Sequence, residues 1–197
     1  MIRICLALFV AAMLAWSRPA HAAQSLDACT RYINALPATL GAPGTWCLRH
    51  DLAYTPSTGD AITVASDGVT IDCNDFVISG VGTATTSAIA IKASQRRRTT
   101  VRHCDIRGFH IGVFAVSSSA GYYVVEDDTF DDNLCIGVDV QGDQSIIRRN
   151  RILDTGGSSS GTCDPAGIDA NGVVDVLDNI VSGVVATSGS GQARGTL

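Results

Sequence analysis

The sequence predicts an all-β fold in which the chain winds into a parallel β-helix, a solenoid of about five coils. Three observations predict it. A short phrase recurs roughly every 22 to 30 residues, alternating apolar and β-branched residues precede most copies, and helix-period segments are missing from the repeating part. A repeat of this length is typical of stacked coils in which each coil buries its apolar face against the next.

The recurring phrase is an apolar anchor, then Asn, Asp or Cys three positions later, then a second apolar residue five positions after the anchor. Regular copies begin at Val101, Val125, Ile147 and Val176. An earlier copy begins at Ile71, and its second apolar residue, Ile78, comes two positions late. Parallel strands lie about 4.8 Å apart, so equivalent residues should stack and their amides should bond along the stack. The predicted ladder column consists of Asn74, Cys104, Asp128, Asn150 and Asn179.

Residues 1–22 have the pattern of a secretory signal peptide. Arg3 supplies a positive charge, residues 4–16 are apolar but too few to span a bilayer, and Ala20-His21-Ala22 fits a cleavage site. A buried N-terminal helix is the alternative. We therefore expect a secreted or periplasmic protein. We expect no transmembrane segment, because no later segment has the roughly 18 to 20 apolar residues that a membrane helix needs.

Residues 23–57 do not repeat, and we interpret them as an N-terminal cap, with a short helix from Asp27 to Leu36, that covers the open end of the stack. Residues 58–186 form the β-helix, and residues 187–197 form a tail of small residues. No C-terminal cap is visible. The alternatives are a truncated chain, a partner at that end, or a natural short form. The predicted coil openings are Ala61-Ile62, Ala88-Ile89, Gly112-Val113, Gly137-Val138 and Gly167-Ile168.

Six cysteines follow the predicted leader, and an even number in an exported chain indicates disulfides. The favoured pairs are Cys29–Cys47, which brackets the cap, and Cys135–Cys163, which precedes the openings of neighbouring coils. Cys73 and Cys104 fall near the same point of adjacent coils and are either bonded or stacked as buried thiols. A zinc site is disfavoured because the chain has no CxxC pattern and its histidines lack ligand spacing.

The chain is acidic, with 19 acidic and 14 basic residues and a net charge of −5. This balance argues against non-specific binding to nucleic acid or to an anionic membrane surface. The run Arg96-Arg97-Arg98 is either a solvated turn or a ligand-binding group. Tyr122 and Tyr123 are candidates for stacking on a sugar ring, although one of two consecutive aromatic residues on a strand normally packs inward.

The repeats over residues 61–186 resemble those of the right-handed parallel β-helix proteins, the pectin-lyase-like superfamily. The segment Gly44-Thr45-Trp46-Cys47-Leu48, followed by Ile71-Asp72-Cys73-Asn74, is similar to the opening of secreted bacterial members. The resemblance implies a right-handed coil. The superfamily includes pectate lyases, polygalacturonases, other polysaccharide lyases, epimerases and non-catalytic surface proteins, so the resemblance implies the fold more strongly than an activity. Its enzymes carry acidic clusters, calcium or basic residues on the outer face of a parallel sheet.

Two columns of charge follow the anchors. The first comprises Arg102, Glu126, Arg148 and Leu177, and the second comprises His103, Asp127, Arg149 and Asp178. One interpretation is a register lock, since opposite charges on neighbouring strands attract and like charges repel. On a flat strand only one of the two columns can face outward, unless the chain bends at this point.

The other interpretation is a sugar-binding or catalytic face. Glycoside hydrolysis needs two carboxylates roughly 5 to 9.5 Å apart, and Asp127 and Asp178 flank Arg149 two coils apart. A lyase would use Arg149 or His103 to take a proton. Carboxylate oxygens also suit calcium, so the candidate calcium ligands are Glu126, Asp127 and Asp131, with solvated acids as the alternative. No other cofactor is predicted.

These patterns favour a non-catalytic binding or structural protein of the cell envelope or extracellular space that contacts polysaccharide. The alternative is a polysaccharide lyase or glycoside hydrolase acting on acidic polysaccharide. The aromatic content of 6% favours the first, because extended sugar clefts usually present several aromatic side chains.

Overall fold

The computed structural model describes residues 28–159, 163–186 and 194–196, so the predicted leader and residues 187–193 and 197 of the predicted tail lie outside the described residues. The described residues form short strands with essentially no helix. In chain order the strands are β1 (Arg31–Ile33), β2 (Ala38–Leu40), β3 (Gly44–Leu48), β4 (Leu52–Ala53), β5 (Asp60–Val64), β6 (Val69–Asp72), β7 (Val77–Ser79), β8 (Ile89–Ser94), β9 (Thr100–Arg102), β10 (Asp105–Arg107), β11 (Ile111–Val116), β12 (Val124–Glu126), β13 (Thr129–Asp131), β14 (Ile136–Gln141), β15 (Ser145–Arg148), β16 (Arg151–Leu153), β17 (Ala166–Asn171), β18 (Val174–Leu177), β19 (Ile180–Ser182) and β20 (Arg194–Thr196).

The strands form three sheets stacked as a parallel β-solenoid of about six coils, which confirms the predicted all-β solenoid. Sheet A runs β1-β3-β6-β9-β12-β15-β18, sheet B runs β2-β5-β8-β11-β14-β17-β20, and sheet C runs β4-β7-β10-β13-β16-β19. Neighbouring strands in each sheet are parallel, because each full coil adds one strand to each sheet in the same direction.

Equivalent apolar residues stack in the interior. The anchors pair across successive strands of sheet A and are almost fully buried: Ile71, Val101, Val125 and Ile147. The second apolar residues pair in the same way across sheet C: Ile78, Ile106, Phe130 and Ile152. Burying one such side chain stabilises the fold by about 1.5–3 kcal/mol, so each added coil extends a continuous core.

The ladder column joins each coil to the next through hydrogen bonds. The backbone N–H of Cys104 donates to Oδ1 of Asp128 at 2.8 Å, that of Asp128 to Oδ1 of Asn150 at 3.0 Å, and that of Asn150 to Oδ1 of Asn179 at 2.9 Å. In the opposite direction, the amide of Asn150 donates to the carbonyl of Val125 at 2.9 Å. These bonds satisfy backbone groups at a buried bend and fix which residue lies above which.

Asn74 lies outside this ladder, contrary to the prediction. Its amide donates to the carbonyl of Leu48 at 3.0 Å, and the position beside Cys104 is taken by Cys73 through a disulfide. The first copy of the phrase has two extra residues at the bend. They displace Asn74 but leave Ile78 in its core column.

The N-terminal segment is a coil rather than a cap with a helix. Over its described part it supplies β1 to β4, which pair in parallel with later strands of all three sheets. Ile33 and Leu40, at 2% and 1% exposed, belong to the same core as the later coils. Burial in this shared core outweighs the weak helical pattern of the segment. With this segment included, the solenoid has about six coils, whereas the sequence predicted about five.

The coil openings follow the predicted pattern with one correction. A Cβ atom on Gly112 would lie 2.5 Å from the carbonyl oxygen of Gly137, so the glycine lets successive coils approach. In the preceding coil, the partner of Val113 is Ile91. The predicted opening at Ala88-Ile89 was therefore two residues early, and Ile89 lies outside the core.

Three disulfides join neighbouring coils: Cys29–Cys47, Cys73–Cys104 and Cys135–Cys163, with Cα separations of 5.8, 4.7 and 5.8 Å. They include both favoured pairs, and Cys73 and Cys104 are bonded rather than free thiols. Three disulfides indicate an oxidising environment. Among the described residues, no helix is long and apolar enough to cross a membrane.

The last coil exposes large apolar side chains, although β20 covers β17 in sheet B. Val173, Leu177, Ile180 and Val185 are between 50% and 67% exposed. The expectation of a partner or further chain at this end stays a prediction.

Asp128 is the acidic member of the ladder, and it is fully buried. Its Oδ2 has no hydrogen-bond partner among the described residues. The equivalent atom of Asn150 in the next coil is the amide nitrogen, which donates to Val125. Burial raises the pKa of the Asp128 carboxyl well above its usual range. The hydrogen bond from Cys104 opposes this shift, and the charges of Asp127 and Glu126 add to it. The folded protein therefore holds this proton to a higher pH than the unfolded chain does.

We expect Asp128→Asn to raise the free energy of unfolding at pH 7 by about 1–3 kcal/mol, because the amide supplies a donor where an acid lacks a partner. In the parent protein, stability should fall as the pH rises above about 4, and the variant should lose this dependence. Urea titrations at several pH values measure both effects.

The reciprocal change Asn150→Asp is the matched control. It places a second acid in the buried ladder and should lower stability at pH 7 while steepening the pH dependence. A neutral or destabilising effect of Asp128→Asn at pH 7 would contradict this account of the ladder.

Candidate functional site

The two predicted charge columns lie at the bend between sheets A and C. His103, Asp127, Arg149 and Asp178 all have left-handed backbone angles, with φ between 51° and 59°. This bend removes the conflict with strand alternation. The first column ends its strand facing outward, and the second turns outward at the bend itself.

The charges in these columns pair between coils. Arg148 Nε donates to Glu126 Oε2 at 2.8 Å, and Arg149 holds both oxygens of Asp127 at 2.7 Å. This hydrogen bond from Arg149 holds the pKa of the Asp127 carboxyl below its usual range. An earlier coil repeats the arrangement, with Asp72 accepting from Arg102 at 2.8 Å and lying 3.2 Å from His103 Nδ1.

This pairing fits a register lock better than a catalytic centre. A general acid must hold a proton, whereas Asp127 is kept ionised by its bidentate guanidinium. Arg149 faces the preceding coil, and Asp178 makes no ion pair with any residue that the structure describes. Arg149 therefore occupies both oxygens of Asp127, which leaves this carboxylate poorly placed to act as a catalytic base or nucleophile.

The candidate calcium ligands are also divided. Glu126 and Asp127 are held by arginines at the bend, whereas Asp131 ends a strand of sheet C. Burial raises the pKa of the Asp131 carboxyl, and the nearby charge of Asp132 adds to this effect. Within the described parts of the chain, no group of three or more His, Cys, Asp or Glu residues is arranged to hold a metal ion.

The outer face of sheet B carries large apolar side chains that do not belong to the core. Ile89, Ile111 and Ile136 pair with one another across β8, β11 and β14 and are half-buried. Phe114 is also half-buried and alternates with the core residues Val113 and Ala115. The three isoleucines form an apolar stripe outside the core, and Phe114 lies in a separate column of the same strands, between Lys92 and Asp139.

Two carboxylates, Asp139 and Asp169, follow Phe114 along its column on the outer face of sheet B. Asp139 pairs directly with Asp169 on the next strand, and strand spacing places their Cα atoms about 5 Å apart. Gln141 donates to Asp139 at 3.1 Å, and Asn171 donates to Asp169 at 2.7 Å. Burial raises the pKa of Asp139 to about 6. The hydrogen bond from Gln141 opposes this shift, and the charge of Asp169 adds to it.

Sequence reasoning missed this pair, although a signal was present. Asp139-Val140-Gln141 and Asp169-Ala170-Asn171 follow equivalent coil openings, and each has an acid two positions before an amide. Like charges that face each other across strands destabilise a sheet. The repetition of these acids in register therefore makes the pair a candidate functional site.

Comparison of the chain with protein-family models, with curated proteins and with solved structures finds no match.

The ion pair between Glu126 and Arg148 should contribute only modestly to stability. We expect a double-mutant cycle with Glu126→Gln and Arg148→Gln to give a coupling energy of about 0.2–1 kcal/mol that shrinks in high salt. Thermal unfolding of the four proteins measures it. A coupling energy of zero at low salt would contradict the register lock.

Proposed function

We propose that the chain is an exported, right-handed β-helix protein of the pectin-lyase-like type that binds polysaccharide without cleaving it. The binding surface is the outer face of sheet B. The observation that carries this proposal is the stripe of Ile89, Ile111 and Ile136, together with Phe114, outside the core.

The composition of this face supports a saccharide ligand. Sugars present apolar ring faces edged by hydroxyl groups, and binding sites for them combine apolar or aromatic side chains with a few polar ones. Phe114 supplies the aromatic ring, and the amides of Gln141 and Asn171 lie on the same face one and two coils away. Parallel strands repeat these groups at a regular spacing, which suits an extended polymer.

Export is supported by two independent features. Residues 1–22 predict a secretory leader. The three disulfides suit an oxidising compartment outside the cytoplasm.

Phe114→Ala should weaken oligosaccharide binding by roughly tenfold, because it removes the aromatic surface against which a sugar ring would lie. Calorimetric titration with neutral and acidic oligosaccharides measures the affinity. The matched control is Leu153→Ala, which truncates a half-buried side chain at the end of a strand of sheet C. Equal effects of the two variants, or no effect of Phe114→Ala, would contradict the proposed binding face.

The second candidate function is a glycoside hydrolase, and the Asp139–Asp169 pair favours it. Retaining enzymes use two carboxyl groups about 5–5.5 Å apart, one protonated and one ionised. Burial keeps Asp139 protonated up to a pH of about 6, since its pKa is raised to that value, so it would be the acid and Asp169 the nucleophile. Both lie beside the stripe that would hold the sugar.

If the protein hydrolyses polysaccharide, Asp139→Asn should abolish release of new reducing ends, because the amide cannot donate a proton. Activity of the parent protein should fall as the pH rises through about 6, where Asp139 loses its proton. Reducing-end assays on acidic and neutral polysaccharides, with and without Ca²⁺, measure this.

Asp132→Asn is the matched control, since Asp132 is exposed and Asn tolerates its left-handed backbone (φ 51°). No turnover by the parent protein on any substrate, together with retained binding, would favour the non-catalytic function. Turnover that survives Asp139→Asn would exclude this pair as the catalytic site.

A further inference from the structure

The corner between sheets B and A holds a second site, separate from the sheet faces. Arg97, Arg98 and Tyr122 line a cavity of about 190 Å³ there. Arg97 and Arg98 follow β8, and Tyr122 belongs to the longer corner loop of the next coil, after β11. All three side chains are exposed, and the Arg97 guanidinium lies 5.7 Å from the centre of the Tyr122 ring.

The acid at this corner, Asp67, binds the backbone N–H of Arg97 rather than a guanidinium group. Several other cations of this chain face an acid of a neighbouring strand or coil: Lys92 with Asp60, Arg102 with Asp72, Arg148 with Glu126, and Arg149 with Asp127. The side chains of Arg97 and Arg98 make no ion pair with any residue that the structure describes. Beside them, Nε of Arg96 is buried without a hydrogen-bond partner in the described chain.

Hydrogen bonds fix the backbone of this corner before any ligand arrives. The N–H of Arg97 donates to Asp67 Oδ1 at 3.0 Å, and that of Arg98 donates to the carbonyl of Gly121 at 2.8 Å. Arg97 Nε donates to the carbonyl of Ala120 at 3.3 Å, which leaves its terminal nitrogens for other acceptors. The backbone therefore needs no reordering when a ligand binds, and the Arg97 side chain is already held at its Nε.

The neighbouring Tyr123 explains why Tyr122 is free to face the cavity. Tyr123 is fully buried, and its hydroxyl donates to the carbonyl of Arg96 at 2.6 Å. The backbone of Tyr122 is left-handed (φ 51°), and the chain turns there so that Tyr122 is exposed while the next residue, Tyr123, is buried. An exposed aromatic ring beside two guanidinium groups presents a flat apolar surface and a fork of donors together.

We propose that this corner binds an oxyanion, a carboxylate or a sulfate, carried on a sugar ring. The guanidinium groups of Arg97 and Arg98 bind the anion, and the Tyr122 ring lies against the sugar. The sugar part of this inference rests on the proposed function, whereas the anion part does not. The site makes an acidic protein selective for charged saccharide units, although its net charge alone would repel them.

Inorganic sulfate is the probe that does not depend on the proposed function. In an NMR titration with sodium sulfate, with ionic strength held constant by sodium chloride, the shifts should concentrate at the N–H groups of Arg97 and Arg98. Arg97→Gln and Arg98→Gln should each remove these shifts. Arg151→Gln is the matched control, because it removes an exposed arginine from sheet C and should leave them unchanged.

The second arm uses a galacturonate trisaccharide, a sulfated heparin disaccharide and neutral cellotriose. The anionic sugars should bind at least about tenfold more tightly than the neutral one, and Arg98→Gln should remove this difference. The preferred anionic sugar identifies the anion as carboxylate or sulfate. Tyr122→Asn, which suits the left-handed backbone, should weaken binding of the sugars but not of inorganic sulfate.

Diffuse shifts with sulfate, or an equal loss in Arg151→Gln, would overturn the proposal. Localised sulfate binding without binding of any saccharide would retain the anion site and overturn both the sugar part and the proposed function. Binding of neutral sugar that depends on Phe114 but shows no preference for anionic sugars would retain the proposed function and overturn this inference.

Discussion

The vertical register between coils is the constraint on which the rest of the structure depends. The Oδ1 atoms of Asp128, Asn150 and Asn179 each accept a hydrogen bond from the backbone of the preceding coil. The amide of Asn150 returns one to Val125. A slip by one residue would break these bonds and turn the apolar columns toward solvent, because side chains alternate along a strand. This register sets which residues of neighbouring coils lie side by side. It therefore aligns the paired charges at the bend, the stripe on sheet B and the basic corner.

The same register sorts the charged residues into two kinds. At the bend after sheet A, acids and arginines meet in opposite pairs and contribute to the stacking order. On the outer face of sheet B two acids face each other, and at the corner the guanidinium groups of Arg97 and Arg98 face solvent. Arrangements that work against stability persist where function requires them. We therefore propose function at these two positions and a role in stacking order for the more conspicuous pairs at the bend.

The core was predictable because apolar residues recur at fixed offsets along the sequence. The anchors and the second apolar residues stack on their equivalents in the next coil, as expected. Predictions failed where spacing alone did not show the bend. Asn74 lies outside the ladder because two extra residues precede Ile78. The coil opening was predicted at Ala88-Ile89, two residues early, because Ile89 also alternates with Ile91. The Asp139–Asp169 pair was missed because its column belongs to the strand before the repeated phrase. The contact between Arg97 and Tyr122 could not be predicted from the sequence, because the two residues belong to different coils and meet only in the folded structure.

The disulfides distribute mechanical load unevenly along the solenoid axis. Each one ties a coil covalently to its neighbour, whereas the last strands, β18 and β19, are held on one side only among the described residues. A pull on the two ends would peel the final turn first. The advance would then stall at the Cys135–Cys163 link, behind which most of the outer face of sheet B and the corner of Arg97 and Arg98 lie. Such a molecule can fray at one extremity while its covalently linked coils stay folded.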